Sequence, residues 1–325
     1  MRFWPFLGRR LIQTVITLFA VVTLMWALFR LIPGDPTTVF LGTGELPPDA
    51  VAALRKSWGL DAPLWQQYLD YLRNLITGNL GLSFYYRRPV LEILLPMLWN
   101  TLLLMGFAVT AATLVGIAVG SWLGWRRGDK TEQIGTLLVL IPRALPIFWI
   151  GILLQMAFAY GLGWFPIGGM RTPAFIPETR LEQLPGYDLG VHMVLPLLAA
   201  AIYFVTDPLM IMRTSMLEVA GDDFVTFARA TGLRERRVRH LARRNAILPV
   251  LTYTAIMVSF AFGGQVLLEV VFSWPGMGRL MVSSVTQRDY PVAQAAFFFM
   301  AVVVIVLNLV LDMLYAVLDP RITYE

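Results

Sequence analysis

Six apolar runs punctuate the chain, at residues 11–29, 98–124, 134–160, 193–213, 247–271 and 292–317. Each approaches or exceeds the roughly 20 residues an α-helix needs to cross the hydrocarbon core of a bilayer. Backbone groups in lipid must be satisfied within their own segment, so runs of this length predict six transmembrane helices. The second run carries Ala112, Gly116, Gly120 and Gly124 at intervals of four, and the fifth carries Ala255, Ser259 and Gly263. Small residues on one stripe let helix backbones approach closely in lipid, which predicts two packing faces. Pro142, Pro146, Pro196 and Pro208 lie in or near spans and predict kinks.

The polar intervals set the organisation. Residues 1–32 read as an N-terminus with the first helix, 33–97 as a helical segment outside the membrane, and 98–325 as a five-helix core. Arg2, Arg9 and Arg10 precede the first run, and no small-residue cleavage site follows it, so it reads as an uncleaved helix. In the outer segment, Pro47 and Pro48 open one expected helix ending near Gly59. Asp61 and Pro63 open a second, whose stripe of Leu64, Tyr68, Leu72, Leu75 and Ile76 is stopped by Gly78. That stripe is expected to cover the protein's own helices. The Gly-, Pro- and aromatic-rich segments 161–191 and 272–291 read as ordered caps, with Trp164, Phe165, Trp274 and Tyr290 as interfacial anchors.

Composition agrees with this pattern. A 57% hydrophobic content and a mean hydropathy of +0.66 are too apolar for a soluble domain. The net charge of +5 does not point to nucleic acid, because the basic residues cluster beside apolar spans. Residues 1–10, 125–133, 213–246 and 318–325 hold 15 Lys/Arg in 61 positions, whereas the opposite loops hold 9 in 116. The positive-inside rule then places both termini in the cytoplasm.

Catalytic chemistry finds little support. There is no cysteine, which excludes disulfides and thiolate sites. Neither lysine, Lys56 or Lys130, follows a glycine, so no Walker phosphate loop can be written and the chain does not hydrolyse ATP alone. His192 reads as interfacial and His240 as part of a basic face, neither with a metal-ligand partner. Without a nucleophile elbow or a zinc-binding HExxH helix, an enzyme is not indicated.

Charges inside spans are costly and invite a role. Arg143 lies about nine residues into the third span and Asp207 about six into the fourth from the same side. At 1.5 Å per residue their depths are roughly 13 and 9 Å, so the two can pair if their helices are neighbours. Structural pinning and contact with a translocated solute are the alternatives. Gln265 and Glu269 are the other polar candidates for a pathway, with Glu269 equally placed at the outer surface. A secondary transporter would need ion-binding carboxylates and inverted repeats, for which one buried Asp is thin support.

The interval 216–246 stands apart from this apolar background. Asp222 or Asp223 can cap a short helix, and Phe224, Phe227, Ala228 and Thr231 recur on one face. Gly232 stops it. The following Arg234–Arg244 stretch, RERRVRHLARR, is basic enough to lie against anionic headgroups. An interfacial helix that docks nothing is the plain alternative.

Ala228, Gly232, Ile247, Leu248 and Pro249 resemble the EAA loop of permease subunits from binding-protein-dependent ABC importers, with Thr226 and Phe227 replacing its first two letters. RLIPGDP at 30–36, RRPVL at 87–91, VFSWPGMGRL at 271–280, RDYPV at 288–292 and LDPRI at 318–322 extend the likeness along the chain. They resemble the first permease of the dipeptide/oligopeptide branch. The resemblance implies an all-α integral membrane protein of type I importer architecture in a prokaryotic inner membrane. It implies a coupling helix formed by Asp223, Phe224, Thr226, Phe227, Ala228, Arg229 and Gly232, with Phe224, Phe227 and Ala228 supplying buried contact to an ATPase subunit. It also implies a second homologous permease, two ATPase subunits that bind ATP and magnesium, and an external solute-binding protein; no cofactor is expected in this chain. Relatives of this shape also import glutathione, nickel chelates, opines and some sugars.

Overall fold

The computed structural model describes residues 3–31, 61–175 and 181–318, with Asp49 and Thr179 besides. The helix expected between Pro47 and Gly59 lies outside the described residues. Those described form helices, with a single antiparallel bridge between Leu82 and Pro89. In chain order the helices are α1 (Phe3–Leu31), α2 (Leu64–Ile76), α3 (Val90–Trp125), α4 (Lys130–Arg143), α5 (Ile147–Leu154, extended by a π-helical stretch Gln155–Gly161), α6 (Tyr187–Phe204) and α7 (Thr206–Val219). They continue as α8 (Asp223–Ala230), α9 (Glu235–Ala246), α10 (Leu248–Gly264), α11 (Val266–Val271), α12 (Met277–Thr286) and α13 (Tyr290–Leu318).

Of the six expected spans, α1, α3, α6 and α13 are each long and apolar enough alone, and counting two bent pairs brings the total to six. One pair, α4 and α5, bends by 98° between Arg143 and Ile147, where Pro146 cannot donate a helical hydrogen bond. The other, α9 and α10, bends by 45° just before Pro249. The fourth run is likewise divided at Val205 into α6 and α7.

By internal packing the described residues fall into two units, drawn from Met1–Trp99 with Gly276–Leu309 and from Asn100–Pro275 with Val310–Thr323. In the first, Val90, Leu94, Met277, Leu280, Val292 and Ala296 form a buried cluster. Of the α2 stripe, Tyr68 covers the chain's own helix α1: its hydroxyl meets Thr23 Oγ1 at 2.7 Å, and its ring stands edge-on to Trp26. Leu64 and Ile76, at the ends of that stripe, are exposed. Asp289 is fully buried; its carboxylate accepts hydrogen bonds from Ser83 Oγ and from the Phe84 and Tyr85 amides, bracing the 83–86 loop. Four charged-residue lone pairs with three donors explain how a carboxylate tolerates such burial.

In the second unit the glycine stripe of α3 packs on α7. A methyl group at Gly116 would lie 3.0 Å from the Leu209 amide, and one at Gly124 would lie 2.6 Å from the Arg213 carbonyl and 2.7 Å from Met216 Cβ. Gly120 meets the Leu209 carbonyl and Met212 in the same way. The second expected stripe packs less tightly, with Gly263 exposed and Ala255 and Ser259 half-buried, because Met257 and Ala261 form the buried face of α10. The cap reading holds for residues 168–169, where the Gly169 amide bonds the Phe272 carbonyl at 2.8 Å.

One anchor, Trp274, and the interfacial reading of His192 require correction. Trp274 is fully buried, its indole N–H donating to the Asn100 carbonyl at 3.1 Å, because α11 closes in a turn at Ser273 (φ 49) that bonds the Trp274 amide to the Glu269 carbonyl at 2.8 Å. His192 is also buried rather than interfacial; Nε2 lies 3.0 Å from Thr172 Oγ1 and 3.5 Å from Asp188. Trp164 is exposed as expected.

The stripe yields a signed prediction. Alanine exceeds glycine in helix propensity by about 1 kcal/mol, so Gly106→Ala, with nothing within 4 Å, should leave the thermal midpoint in detergent unchanged or raised. Gly124→Ala should lower it, because backbone stands in the way; equal midpoints for the two variants would remove the close-packing account.

Candidate functional site

Two features of the second unit concentrate polar chemistry. The first is α8. Asp222 stands at its N-cap in an extended conformation, but its side chain makes no capping bond. The C-terminus closes as a Schellman turn: Gly232 adopts φ +80, its amide bonds the Arg229 carbonyl, and the Leu233 amide bonds the Ala228 carbonyl.

The faces of α8 divide differently from expectation. Val225 and Ala228 are buried against Met212 and Met216 of α7 and Val238 and Ala242 of α9. Ala228 is therefore spent on the protein's own core and is not available as contact for another subunit; a methyl this small fits where two helices close on α8. Phe224 is 39% and Phe227 70% exposed. Asp223 and Thr226 are exposed with them. Arg229 pairs with Glu235 at 3.0 Å and lies over the Trp125 ring, which fixes the polar edge. Two exposed phenylalanines on a helix locked from behind form a rigid apolar projection, and such a surface marks an interaction site. His240 lies exposed on the basic α9, as the pattern suggested.

The second feature is a polar cluster where helices break. Arg143 Nη2 lies 3.2 Å from Asp207 Oδ2, so the two intramembrane charges do pair. Tyr253 on α10 donates to the same oxygen at 2.6 Å, and the guanidinium lies 4.8 Å from the centroid of the Tyr203 ring. Arg143 closes α4, whose last carbonyls favour a cation, and Asp207 sits in the first turn of α7, whose free amides favour an anion. Thr206 Oγ1 bonds the Val139 carbonyl at 3.0 Å, joining the same two helices.

Sequence reading missed the partner of this pair. Glu132, in the first turn of α4, is buried and accepts a 2.7 Å bond from Arg213 Nε of α7, with a second contact from Nη2. The two helices run antiparallel, tied by a charge pair towards each end of α4. In the sequence Arg213 opens the basic interval 213–246, and only the pairing of α4 with α7 reveals the relation. Tyr203 and Tyr253 carried no signal, since an aromatic in an apolar run reads as packing.

Of the remaining pathway candidates, Glu269 is enclosed rather than at the surface, 2% exposed, and takes a 2.6 Å bond from Thr101 Oγ1 of α3. Gln265 is half-buried at the α10/α11 break. Among the described residues no cluster of His, Cys, Asp and Glu could hold a metal ion.

Comparison with known proteins adds to this geometry. Residues 116–324 match the family described as binding-protein-dependent transport system inner membrane component, and residues 3–105 match the N-terminal family of the same system. The chain is 38% identical to the di/tripeptide transport system permease protein DppB of Pseudomonas aeruginosa, covering 98% of this chain and 99% of that one. It is 36% identical to the oligopeptide transport system permease protein AppB of Bacillus subtilis, over 97% and 98%. It is 34% identical to the glutathione transport system permease protein GsiC of Salmonella choleraesuis, over 98% of each.

Breaking the charge pair should cost stability. Arg143→Asp and Asp207→Arg are each expected to lower the thermal midpoint of the detergent-solubilised protein, since each leaves like charges side by side. The double variant should regain most of the loss, and a double variant no better than either single one would show that the pair does not hold α4 to α7.

Proposed function

The chain belongs to the binding-protein-dependent transport system inner membrane components, and from that membership we propose the reading that follows. The protein is a multi-pass, non-catalytic permease subunit forming half of a translocation pathway for di- and oligopeptides. The substrate class is supported by the names of relatives such as DppB and AppB. The glutathione permease relative favours a second reading, the same role for another small carboxylate-bearing solute.

The single observation that carries the proposal is the α8 projection. Its inner face is fastened to α7 and α9 by Val225 and Ala228, while Phe224 and Phe227 stay uncovered. A partner ATPase subunit takes these two rings in a cleft, with Asp223, Thr226 and Arg229 at its rim and Gly232 ending the lever. ATP and magnesium bind on two such ATPase subunits and not on this chain. Closure of the ATPases pushes α8, and α7 carries the displacement towards the Arg143–Asp207 pair, as alternating access requires.

A second homologous permease completes the pore. An external solute-binding protein delivers cargo to the side of residues 33–97. Both termini and α8 face the cytoplasm of a prokaryotic cell, the polarity given by the excess of Lys/Arg in the loops on that side. Arg143, Asp207, Gln265 and Glu269 are the pathway candidates; the side chains of Arg143 and Asp207 are 39% and 26% exposed, whereas Glu269 is enclosed.

Co-purification tests this reading. The tagged protein, expressed with the other subunits of its own system, should bring ATPase activity with it. Phe227→Asp should leave the thermal midpoint intact yet weaken ATPase retention by about 2 kcal/mol or more, as loss of an interfacial aromatic anchor does. Val225→Asp should instead prevent folding. Full ATPase retention by a folded Phe227→Asp variant would remove α8 as the docking element.

A further inference from the structure

The Arg143 guanidinium is held on one side only. Asp207 Oδ2 already accepts the 2.6 Å bond from Tyr253, and Arg143 reaches the same oxygen at 3.2 Å through one nitrogen. Tyr203 covers the guanidinium plane, 4.8 Å from ring centroid to carbon. Among the described residues Arg143 makes no second ion pair, its side chain is 39% exposed, and one Nη2 contact leaves most of the five N–H donors of a guanidinium uncommitted to Asp207. A charged pair this open is not stable against lipid tails, and intramembrane charges face a water-lined cavity or protein. The structure therefore presents a planar donor fork set over an aromatic ring and held at one edge by Asp207, which Tyr253 of α10 braces in turn.

We propose that Arg143 is a carboxylate-binding residue of the translocation pathway, with Asp207 and Tyr253 as its positioning residues. This rests on the permease reading above. A planar guanidinium matches a carboxylate through two parallel hydrogen bonds, which a lysine ammonium does not reproduce. Asp207 sets the angle of the fork and keeps the empty site neutral. An arriving solute carboxylate takes the outer edge without breaking the inner contact. The site thereby favours solutes with a free carboxylate, such as a peptide C-terminus, over their amides.

Arginine-specific labelling with phenylglyoxal, read at Arg143 by mass spectrometry on the assembled transporter in nanodiscs, tests the proposal directly. Dialanine should slow labelling of Arg143 by about tenfold relative to exposed Arg236, the effect of one charge-assisted contact, and alanyl-alanine amide should not. Equal slowing by both probes, no slowing by either, or an Arg143 that never reacts would each overturn it.

Transport separates this from simple pinning and from failure of the permease reading. With binding protein saturated, ATP-driven uptake of dialanine into proteoliposomes should fall about tenfold in Arg143→Lys, a variant that keeps the charge. The Arg143→Asp/Asp207→Arg exchange should regain stability without regaining uptake; regained uptake would assign the pair to pinning alone. If the unaltered complex shows no ATP-dependent uptake of any peptide, the permease reading for peptides fails, while the labelling result still decides whether Arg143 binds carboxylates.

Discussion

Close approach of α3 and α7 is the constraint on which the rest of the second unit depends. Lipid tails compete with any large apolar side chain, so two helices gain by touching only where backbones come near enough for dense contact. Gly116, Gly120 and Gly124 provide that nearness, and Pro208, Leu209, Met212 and Met216 fill it. With α7 set against α3, the positions of both ends of α7 follow.

One end carries Asp207 into the polar cluster, and the other carries Met212 and Met216 into the core beneath α8. From Asp207 to Met216 is nine residues, about 13 Å along a helix. A single short rod therefore joins the proposed lever to the proposed carboxylate site. Val225 and Ala228 make the connection stiff because a close-packed core transmits displacement instead of absorbing it.

Three polar groups in the spans stand where the helix pattern is interrupted. Arg143 stands at the α4/α5 bend, Asp207 at the α6/α7 joint and Glu269 just beyond the α10/α11 break. Interruption frees amides and carbonyls, which must then find partners or stabilise side-chain charges. Glu269 meets this need through Thr101 and stays enclosed, whereas the Arg143–Asp207 pair stays open on one side. This difference in enclosure, more than residue type, separates a structural carboxylate from a candidate binding group.

Apolar length, glycine spacing and charge bias are local properties, and they were legible without coordinates: the number of candidate spans, the α3 stripe, the extent of α8 with its Gly232 stop, and the depths that made an Arg143–Asp207 pair feasible. Burial is not local. Whether Ala228 or Phe227 faced inward depended on where α7 and α9 lay around α8. Trp274, His192 and Glu269 read as surface or ambiguous positions because a sequence shows a side chain's polarity and not its neighbours. The Glu132–Arg213 tie, the Tyr253–Asp207 bond and the Tyr203 ring under Arg143 belong to the same class, since contacts between residues 46 to 81 positions apart exist only once helices have chosen their partners. The sequence by itself determined which segments enter the membrane, because transfer free energy sums along the chain; the tertiary structure alone decided which polar groups were enclosed and which were left open, because that depends on what packs against them.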